Sequence, residues 1–276
     1  MTRPSAARRG REPDPGFRRA PAALAVPAIL GLLFLLLPLL GLLVRAPWRR
    51  IGTVLTQPAA LTALRLSLET ATASTALCLV FGIPVAYLLA RTRFWGQRAV
   101  RALVTLPLVL PPVVGGVALF TAYGRTGVVG KWWDRWFGYT MPFTTTAVVV
   151  AQAFVAMPFL IIAVEGALRA ADRRFEEAAA TLGASRWTTF RRVTLPLVGP
   201  GVVAGTVLCW ARAMGEFGAT ITFAGNFEGT TQTMPLYVYR ALETADPNSA
   251  IALSLLLVAV CVAVLVALRG RWAGVG

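Results

Sequence analysis

Two groups of charged residues interrupt a chain that is otherwise mostly apolar. The first is the stretch FEEAAATLGASRWTTFRRVTLPL, residues 175–197, which places two carboxylates and three arginines in one short segment. The second is the pair Arg212 and Glu216, which are four residues apart and would therefore share one face of a helix. The chemistry open to both groups is ionic. The first can contact another protein, and the second can contact a small anion.

Residue types that carry catalysis are scarce. The chain contains no histidine, which is the commonest general base and the commonest metal ligand. Cys78, Cys209 and Cys261 have no CxxC spacing and are predicted to be buried as small apolar side chains. The nearest trace of a phosphate-binding loop, GVVGKW, lacks the first glycine at the required position and a hydroxyl residue after Lys131. We therefore predict that the chain is not an enzyme and binds no ATP, no cofactor and no metal ion of its own.

The composition is that of a membrane protein. Of the 276 residues, 57% are hydrophobic and 14% are charged, whereas soluble domains contain about 45–50% apolar and about 25% charged residues. A helix needs roughly 20 apolar residues to cross the hydrocarbon core of a bilayer. We predict an all-α integral membrane protein with six spanning helices, at about residues 22–44, 65–90, 102–124, 143–165, 196–222 and 248–268.

The positive charges indicate an orientation. The formal net charge is +15, and arginine is concentrated in residues 1–20, 91–101, 169–192 and 269–271. These segments lie on one side of the predicted spans, and the positive-inside rule therefore places both termini in the cytoplasm of a bacterial plasma membrane. The basic excess is explained by orientation, and nucleic acid is not a predicted partner. Residues 1–20 are predicted to be a disordered tail and residues 269–276 a second, short tail.

The segment 169–195, between predicted spans four and five, has the pattern of two short helices. Asp172 can cap the first helix, which is rich in alanine and carries its carboxylates near the positive end of the helix dipole. Gly183 suits a left-handed helix end, and Ser185 can cap the second helix, which is predicted to run to about Val193. Two interpretations stay open from these residues alone: a docking surface for another protein, or an amphipathic helix that anchors the loop to lipid.

The spacing within this segment resembles a known motif. Glu177-Ala178-Ala179, then Gly183, then nine residues to Val193-x-Leu195-Pro196 is similar to the EAA loop of ABC importer permeases, although that family prefers isoleucine where Val193 stands. The resemblance implies a type I ABC importer permease fold, in which this loop is the coupling helix that inserts into a cleft of a separate ATPase. ATP and Mg²⁺ are then used by that partner. The residues predicted to couple to the ATPase are Glu176, Glu177, Ala178, Ala179, Gly183, Leu195 and Pro196.

Other stretches narrow the resemblance to the molybdate permeases. They are LSLETATASTALCLVFGIPVAYLLAR, LPLVLPPVVGG and GEFGATITFAGN, the last followed by T-x-T-x-P-L. The similarity runs from about Leu64 to Leu268, and sulfate/thiosulfate permeases are related to the same family. It implies transport of a tetrahedral oxyanion, molybdate or tungstate, with sulfate or thiosulfate as the alternative. It also implies residues 21–268 as the permease domain, with an ATP-binding subunit, an extracytoplasmic molybdate-binding protein and a second copy of the chain as partners.

Polar residues in the fifth predicted span are candidates for a translocation pathway. Arg212, Glu216, Thr220 and Thr222 all fall in this span, where ionisable side chains usually face the bundle interior or a water-filled path. One interpretation is a structural ion pair, with threonines bonded to their own backbone. The other is a path in which Arg212 lowers the barrier for a dianion. A secondary transporter or channel would also explain the pair, but it would not need the docking loop.

Overall fold

The computed structural model describes residues 22–269, and every regular element in that range is helical. The predicted tails, residues 1–20 and 269–276, lie outside this range except for Arg269. The helices are α1 (Ala22–Val44), α2 (Ile51–Leu55), α3 (Pro58–Arg91), α4 (Gln97–Val109), α5 (Pro112–Tyr123), α6 (Gly130–Phe137), α7 (Thr145–Ala170), α8 (Arg174–Thr181), α9 (Arg186–Thr189), a π-helix (Phe190–Thr194), α10 (Leu195–Leu197), α11 (Gly199–Met214), α12 (Gly218–Ala224), α13 (Met234–Glu243) and α14 (Pro247–Arg269).

The chain divides after Arg45 into two units. The described part of the first unit is α1, an apolar helix that contains Pro27 and Pro38. Its described side chains are exposed almost throughout. An exposed apolar helix of this length is more stable in hydrocarbon than in water, because in water its whole apolar surface would be solvated.

Helices α3, α7 and α11 form the centre of the second unit. Their contacts are close because small residues lie between them: a Cβ added at Gly205 would lie 3.0 Å from the Cβ of Ala163. Cys78 and Cys209 are fully buried in this core, which confirms the prediction for these two, while Cys261 is partly exposed. The buried side chains of this core include Ala71, Ala86, Leu89, Ala153, Ala156, Leu160, Val164, Leu168, Ala213 and Met214.

The number of membrane spans depends on how two bent helix pairs are counted. Within the described residues, four helices are long and apolar enough to cross a membrane: Leu24–Val44, Pro58–Arg91, Thr145–Ala170 and Pro247–Val264. Two further pairs pass the same test together, Gln97–Val109 with Pro112–Tyr123, bent by 119°, and Arg186–Leu197 with Gly199–Met214, bent by 72°. If each pair is one span the total is six, and the predicted count of six stays a prediction.

The interruption of the predicted span 102–124 has a local cause. Leu110 is extended, with φ −64° and ψ 132°, because the ring of a following proline disfavours helical geometry at the preceding residue. Pro112 then opens α5 at a position where the missing N–H is no loss. The segment therefore folds as α4 and α5 with a sharp bend between them.

The predicted span 196–222 is also divided. Helix α11 ends at Met214, residues 215–217 are not helical, and α12 runs from Gly218 to Ala224. Position 212 is about 20 Å along α11 from its first residue, at a rise of about 1.5 Å per residue. The break therefore comes about 20 Å along the helix, a distance that is large compared with a hydrocarbon core of about 30 Å.

Candidate functional site

The predicted pair of short helices is present, and Asp172, Gly183 and Ser185 lie at the predicted helix ends. We call residues 172–197 the coupling segment. The Asp172 carboxylate accepts a hydrogen bond from the backbone N–H of Arg174 at 3.0 Å, at the start of α8. Gly183 follows α8 in the left-handed region, at φ +83°. Ser185 Oγ accepts from the backbone N–H of Thr188 at 3.2 Å and caps α9.

The second half of the coupling segment differs from the prediction of one helix to about Val193. Helix α9 ends at Thr189, and Phe190–Thr194 form a π-helix that leads into α10. Phe190 packs on both neighbours: its ring stacks against Trp187 and meets Tyr87 of α3 edge-on. This wider turn therefore seats α9 against the end of α3.

Glu176 faces inward and joins three elements. Its Oε1 lies 3.1 Å from Nη2 of Arg91, the last residue of α3, and accepts a hydrogen bond of 2.9 Å from Thr194 Oγ1 in the π-helix. The Arg91 side chain is only 5% exposed, and it also donates to the carbonyl of Ala171 at 3.4 Å. We call Arg91, Glu176 and Thr194 the anchor. Since charges held away from water need compensating partners, the anchor fixes α8 to the membrane helix α3.

The opposite face of the coupling segment is exposed and partly apolar. Leu182 is 88% exposed, and Phe175 and Trp187 are also largely exposed. The Glu177 carboxylate is on this exposed side, next to Ala178. Large exposed apolar side chains at both ends of α8 and in α9 are typical of a surface that another protein covers.

The structure separates the predicted coupling residues into two roles. Glu176 is committed to the anchor, whereas Glu177, Ala178 and Gly183 are exposed. Leu195 and Pro196 lie in α10, beyond the π-helix. Sequence reasoning missed Arg91 and Thr194, which are 85 and 18 residues from Glu176 along the chain.

Arg212 and Glu216 form the predicted pair at the interruption between α11 and α12. Arg212 Nη2 lies 2.7 Å from Glu216 Oε2, and Glu216 Oε1 accepts a 2.9 Å hydrogen bond from the backbone N–H of Ala219. Glu216 is 1% exposed and the Arg212 side chain 29% exposed. The carboxylate therefore satisfies the open start of α12 while it holds the guanidinium at the break.

The interruption between α4 and α5 lies in contact with the interruption between α11 and α12. A Cβ added at Gly218 would lie 2.5 Å from the Cβ of Pro112, and one at Gly116 would lie 2.9 Å from the carbonyl oxygen of Ala219. We call this meeting of the α4–α5 and α11–α12 interruptions the double break. Only glycine fits at these two points.

A cavity of about 130 Å³ lies at the double break. Arg212 is its one charged lining residue, and Leu110, Pro111 and Pro112 line it from the other interruption. Non-helical backbone at membrane depth is tolerated where it is covered by protein or lines a cavity. The arrangement thus offers one guanidinium to a small anion.

The two predicted threonines do not line this cavity. Thr222 Oγ1 donates to the carbonyl of Gly218 at 2.8 Å. Threonines in helices commonly form such a hydrogen bond to the carbonyl four residues earlier. Thr220 is fully buried, and its hydroxyl has no hydrogen-bond partner among the described residues. Of the four predicted pathway residues, the structure brings only Arg212 and Glu216 into contact.

Comparison with known proteins assigns the chain to a protein family. Residues 82–273 match the profile of the binding-protein-dependent transport system inner membrane component. The chain belongs to this family. Its members are permease subunits of ABC transporters, and both the coupling segment and the double break fall within the matched range.

Individual relatives cover most of the chain. The molybdenum transport system permease protein ModB of Mycobacterium tuberculosis is 50% identical over 246 residues, which is 89% of this chain and 92% of that protein. ModB of Escherichia coli K12 is 41% identical over 210 residues, 76% of this chain and 91% of that protein. The sulfate transport system permease protein CysT of E. coli K12 is 36% identical over 230 residues, 82% of this chain and 83% of that protein.

Solved structures agree on the fold. A bacterial ABC transporter that imports the acidic polysaccharide alginate has a TM-score of 0.69 at 22% identity, covering 92% of this chain and 94% of that chain. The MetNI methionine ABC transporter in an inward-facing form has a TM-score of 0.61 at 21% identity, covering 78% and 94%. The helical fold is therefore that of type I ABC importer permeases, as predicted.

Proposed function

We propose that this chain is the membrane-spanning permease subunit of an ATP-driven importer of molybdate, with tungstate as an equivalent substrate. The observation that carries the substrate assignment is the 50% identity to a molybdenum permease across 89% of the chain. The sulfate permease relative is 36% identical over a similar length, so sulfate is the competing substrate. An external binding protein delivers the oxyanion, because the family is defined by binding-protein-dependent transport.

The exposed face of the coupling segment docks on a separate ATP-binding subunit. Phe175 and Leu182 supply apolar area that such a partner would cover, and Glu177 supplies a charge beside the small side chain of Ala178. The ATPase supplies the energy, and this chain acts as the passive gate. ATP and Mg²⁺ are bound by that partner.

The anchor transmits the movement of the docked helix. Glu176 holds α8 to Arg91 at the end of α3, so a displacement of α8 by the ATPase pulls on a helix of 34 residues. Thr194 ties the same carboxylate to the π-helix that leads to α11. One movement at the surface is thereby passed to both α3 and α11, the two helices that pack with α7 in the core.

Arg212 is the anion contact within the pathway. A dianion that enters the cavity at the double break meets the Arg212 guanidinium, which is partly exposed. It competes with the Glu216 carboxylate for this guanidinium. During this competition Glu216 still accepts its hydrogen bond from the backbone N–H of Ala219. Thr220 has a free hydroxyl near this level of α12, and Thr222 serves its own backbone.

The working assembly is two copies of this chain, two ATP-binding subunits and one binding protein. The arginine-rich segments and the coupling segment face the cytoplasm together with both termini, following the distribution of positive charge. The segment around α13, with Glu228 and Asp246, faces the binding protein on the other side of a bacterial plasma membrane.

Reconstitution into proteoliposomes tests this proposal. The chain is combined with an ATP-binding subunit and an oxyanion-binding protein from the same organism, and ATP-dependent uptake of molybdate, tungstate and sulfate is measured in turn. Uptake of molybdate and tungstate without sulfate supports the assignment. Uptake of sulfate alone would overturn the substrate, and uptake driven by an ion gradient without the ATPase would make the protein a secondary transporter.

A further inference from the structure

Five arginines line a cavity of about 480 Å³ at the end of α3, away from the double break. They come from three neighbouring parts of the fold: the end of α3 with the loop after it, the start of α4, and the end of α7 with the residues after it. The arginines are Arg91, Arg93, Arg101, Arg169 and Arg173. We call this the arginine cavity.

The positive charge of the arginine cavity is only partly compensated. Glu165 holds Arg101 at 2.8 Å and Arg169 at 2.7 Å, and Glu176 holds Arg91. Within the described residues no ion pair neutralises Arg93 or Arg173. Arg173 donates only to a backbone carbonyl, that of Ala90, at 3.3 Å. The cavity therefore presents a net positive surface with guanidinium donors suited to a phosphate group.

An apolar groove of about 360 Å³ lies along the same three helices and is also lined by Leu119 and Tyr123 of α5. It is lined by Leu77 of α3, by Leu103 and Val104 of α4, and by Pro158 and Ile161 of α7. On α4 the groove begins two residues beyond Arg101, and on α7 it lies eight residues before Arg169. A charged cavity at the helix ends is thus followed, towards the membrane interior, by an apolar one.

Exposed aromatic residues mark the rim of the arginine cavity. Trp95 is 100% exposed and Phe94 is 40% exposed, in the loop between Arg93 and Gln97. Gly96, at φ +85°, turns this loop, and Gln97 closes it by donating to the carbonyls of Leu89 and Thr92. Tryptophan is enriched where a membrane protein meets the lipid headgroups.

We propose that the arginine cavity and the apolar groove together bind one anionic phospholipid. The phosphodiester lies among the arginines, an acyl chain lies in the groove, and Trp95 rests at the level of the headgroups. Basic pockets between membrane helices bind anionic headgroups in this manner. Free phosphate would satisfy the arginines, but it would leave the groove and the exposed aromatic rim without a role.

The bound lipid lies beside the anchor. Arg91 lines the arginine cavity and also holds Glu176 of the coupling segment. A headgroup in the cavity competes with Glu176 for this guanidinium, so the lipid composition of the membrane acts on the attachment of α8. This lipid site goes beyond the proposed transport function and does not depend on which oxyanion is carried.

Lipid retention by purified protein tests the proposal. The double variant Arg93→Gln/Arg173→Gln removes two charges that take part in no ion pair, and Arg49→Gln/Arg125→Gln removes two exposed arginines elsewhere as a matched control. The amount of phosphatidylglycerol retained in detergent is measured by native mass spectrometry. Each arginine near an anionic headgroup contributes about fivefold in affinity, so the double variant should bind about 20- to 30-fold more weakly.

Further arms separate the lipid from other ligands. Leu103→Gln, a change at an exposed position of the groove, should weaken phosphatidylglycerol retention without affecting the binding of inorganic phosphate. Phosphatidylcholine should not be retained by any variant. Equal retention by the double variant and its control would overturn the site. Binding of inorganic phosphate with no retained lipid, or loss of ATPase docking in the double variant while the lipid stays bound, would also overturn it.

Discussion

Neighbouring glutamates in the coupling segment have opposite surroundings. Glu176 is hydrogen-bonded to Arg91 and Thr194, and Glu177 is exposed. A position in the motif therefore does not define a role. The side of α8 on which a carboxylate falls determines whether it supports the fold or is available to a partner.

Alanine substitutions at these two positions should have different consequences. Glu176→Ala leaves the buried Arg91 charge without its partner, which should destabilise the protein by about 3 kcal/mol. Glu177→Ala should change stability by less than about 0.5 kcal/mol and should instead reduce ATP-dependent uptake. Thermal unfolding in detergent and uptake in proteoliposomes measure the two effects. Equal melting temperatures for both variants would contradict the role of the anchor.

Arg212 is the residue whose loss should affect transport most directly. Arg212→Ala removes a charge-assisted contact with the dianion and should lower uptake by about tenfold to 100-fold. Arg212→Lys should recover part of the rate, since the charge remains. Arg65→Ala serves as the control, because Arg65 pairs with Glu69 at an exposed site where the pair contributes little. Wild-type uptake by Arg212→Ala would leave the pair a purely structural role.

At the scale of elements, the local features of the coupling segment were predictable from sequence. Asp172, Gly183 and Ser185 each act on atoms within three residues, so their roles are written in the nearby sequence. The contact between Arg91 and Glu176 joins residues 85 positions apart, and only the folded chain brings them together. The π-helix has no comparable local signal.

Of the two helix interruptions, the one between α4 and α5 was predictable from sequence and the one between α11 and α12 was not. Pro111 and Pro112 indicate a break, and the residue before them is extended as the proline ring requires. The division between α11 and α12 has no proline. There the helix stops beside Gly215, and Glu216 supplies the bond that starts α12. That these two interruptions touch is a tertiary fact, and neither segment encodes it alone.

Gly183 should be sensitive to substitution because of its left-handed backbone conformation, and not because neighbouring atoms leave no room for a side chain. No atom lies within 4 Å of an added Cβ, but the left-handed φ of +83° costs an alanine about 1–2 kcal/mol. Gly183→Ala should therefore tilt α8 and reduce coupling, and Gly183→Pro should abolish it while the protein still inserts.

Gly166→Ala is the matched control for this change. Gly166 also has open space around it, yet it lies inside α7 with ordinary helical geometry. The substitution should be neutral or slightly stabilising, by up to about 1 kcal/mol. Uptake and membrane-inserted protein are measured together. Full uptake by Gly183→Pro would remove the coupling role of this turn.

For the whole molecule, the strongest expectation is its orientation. Cysteine labelling tests it, because Cys78 and Cys209 are buried and only Cys261 needs replacement. With a membrane-impermeant maleimide on intact cells, Glu228→Cys should react at once. Leu182→Cys, on the exposed face of the coupling segment, should react only after the membrane is permeabilised. The reverse pattern would invert the proposed topology.

The double break also bears on how tightly the membrane stays sealed. Because Gly218 lies against Pro112 and Gly116 against Ala219, neither interruption has room to shift unless the other moves with it. We therefore expect the two bends to move together. In the proposed importer, such a joint movement would leave few partly open states through which protons could leak during transport.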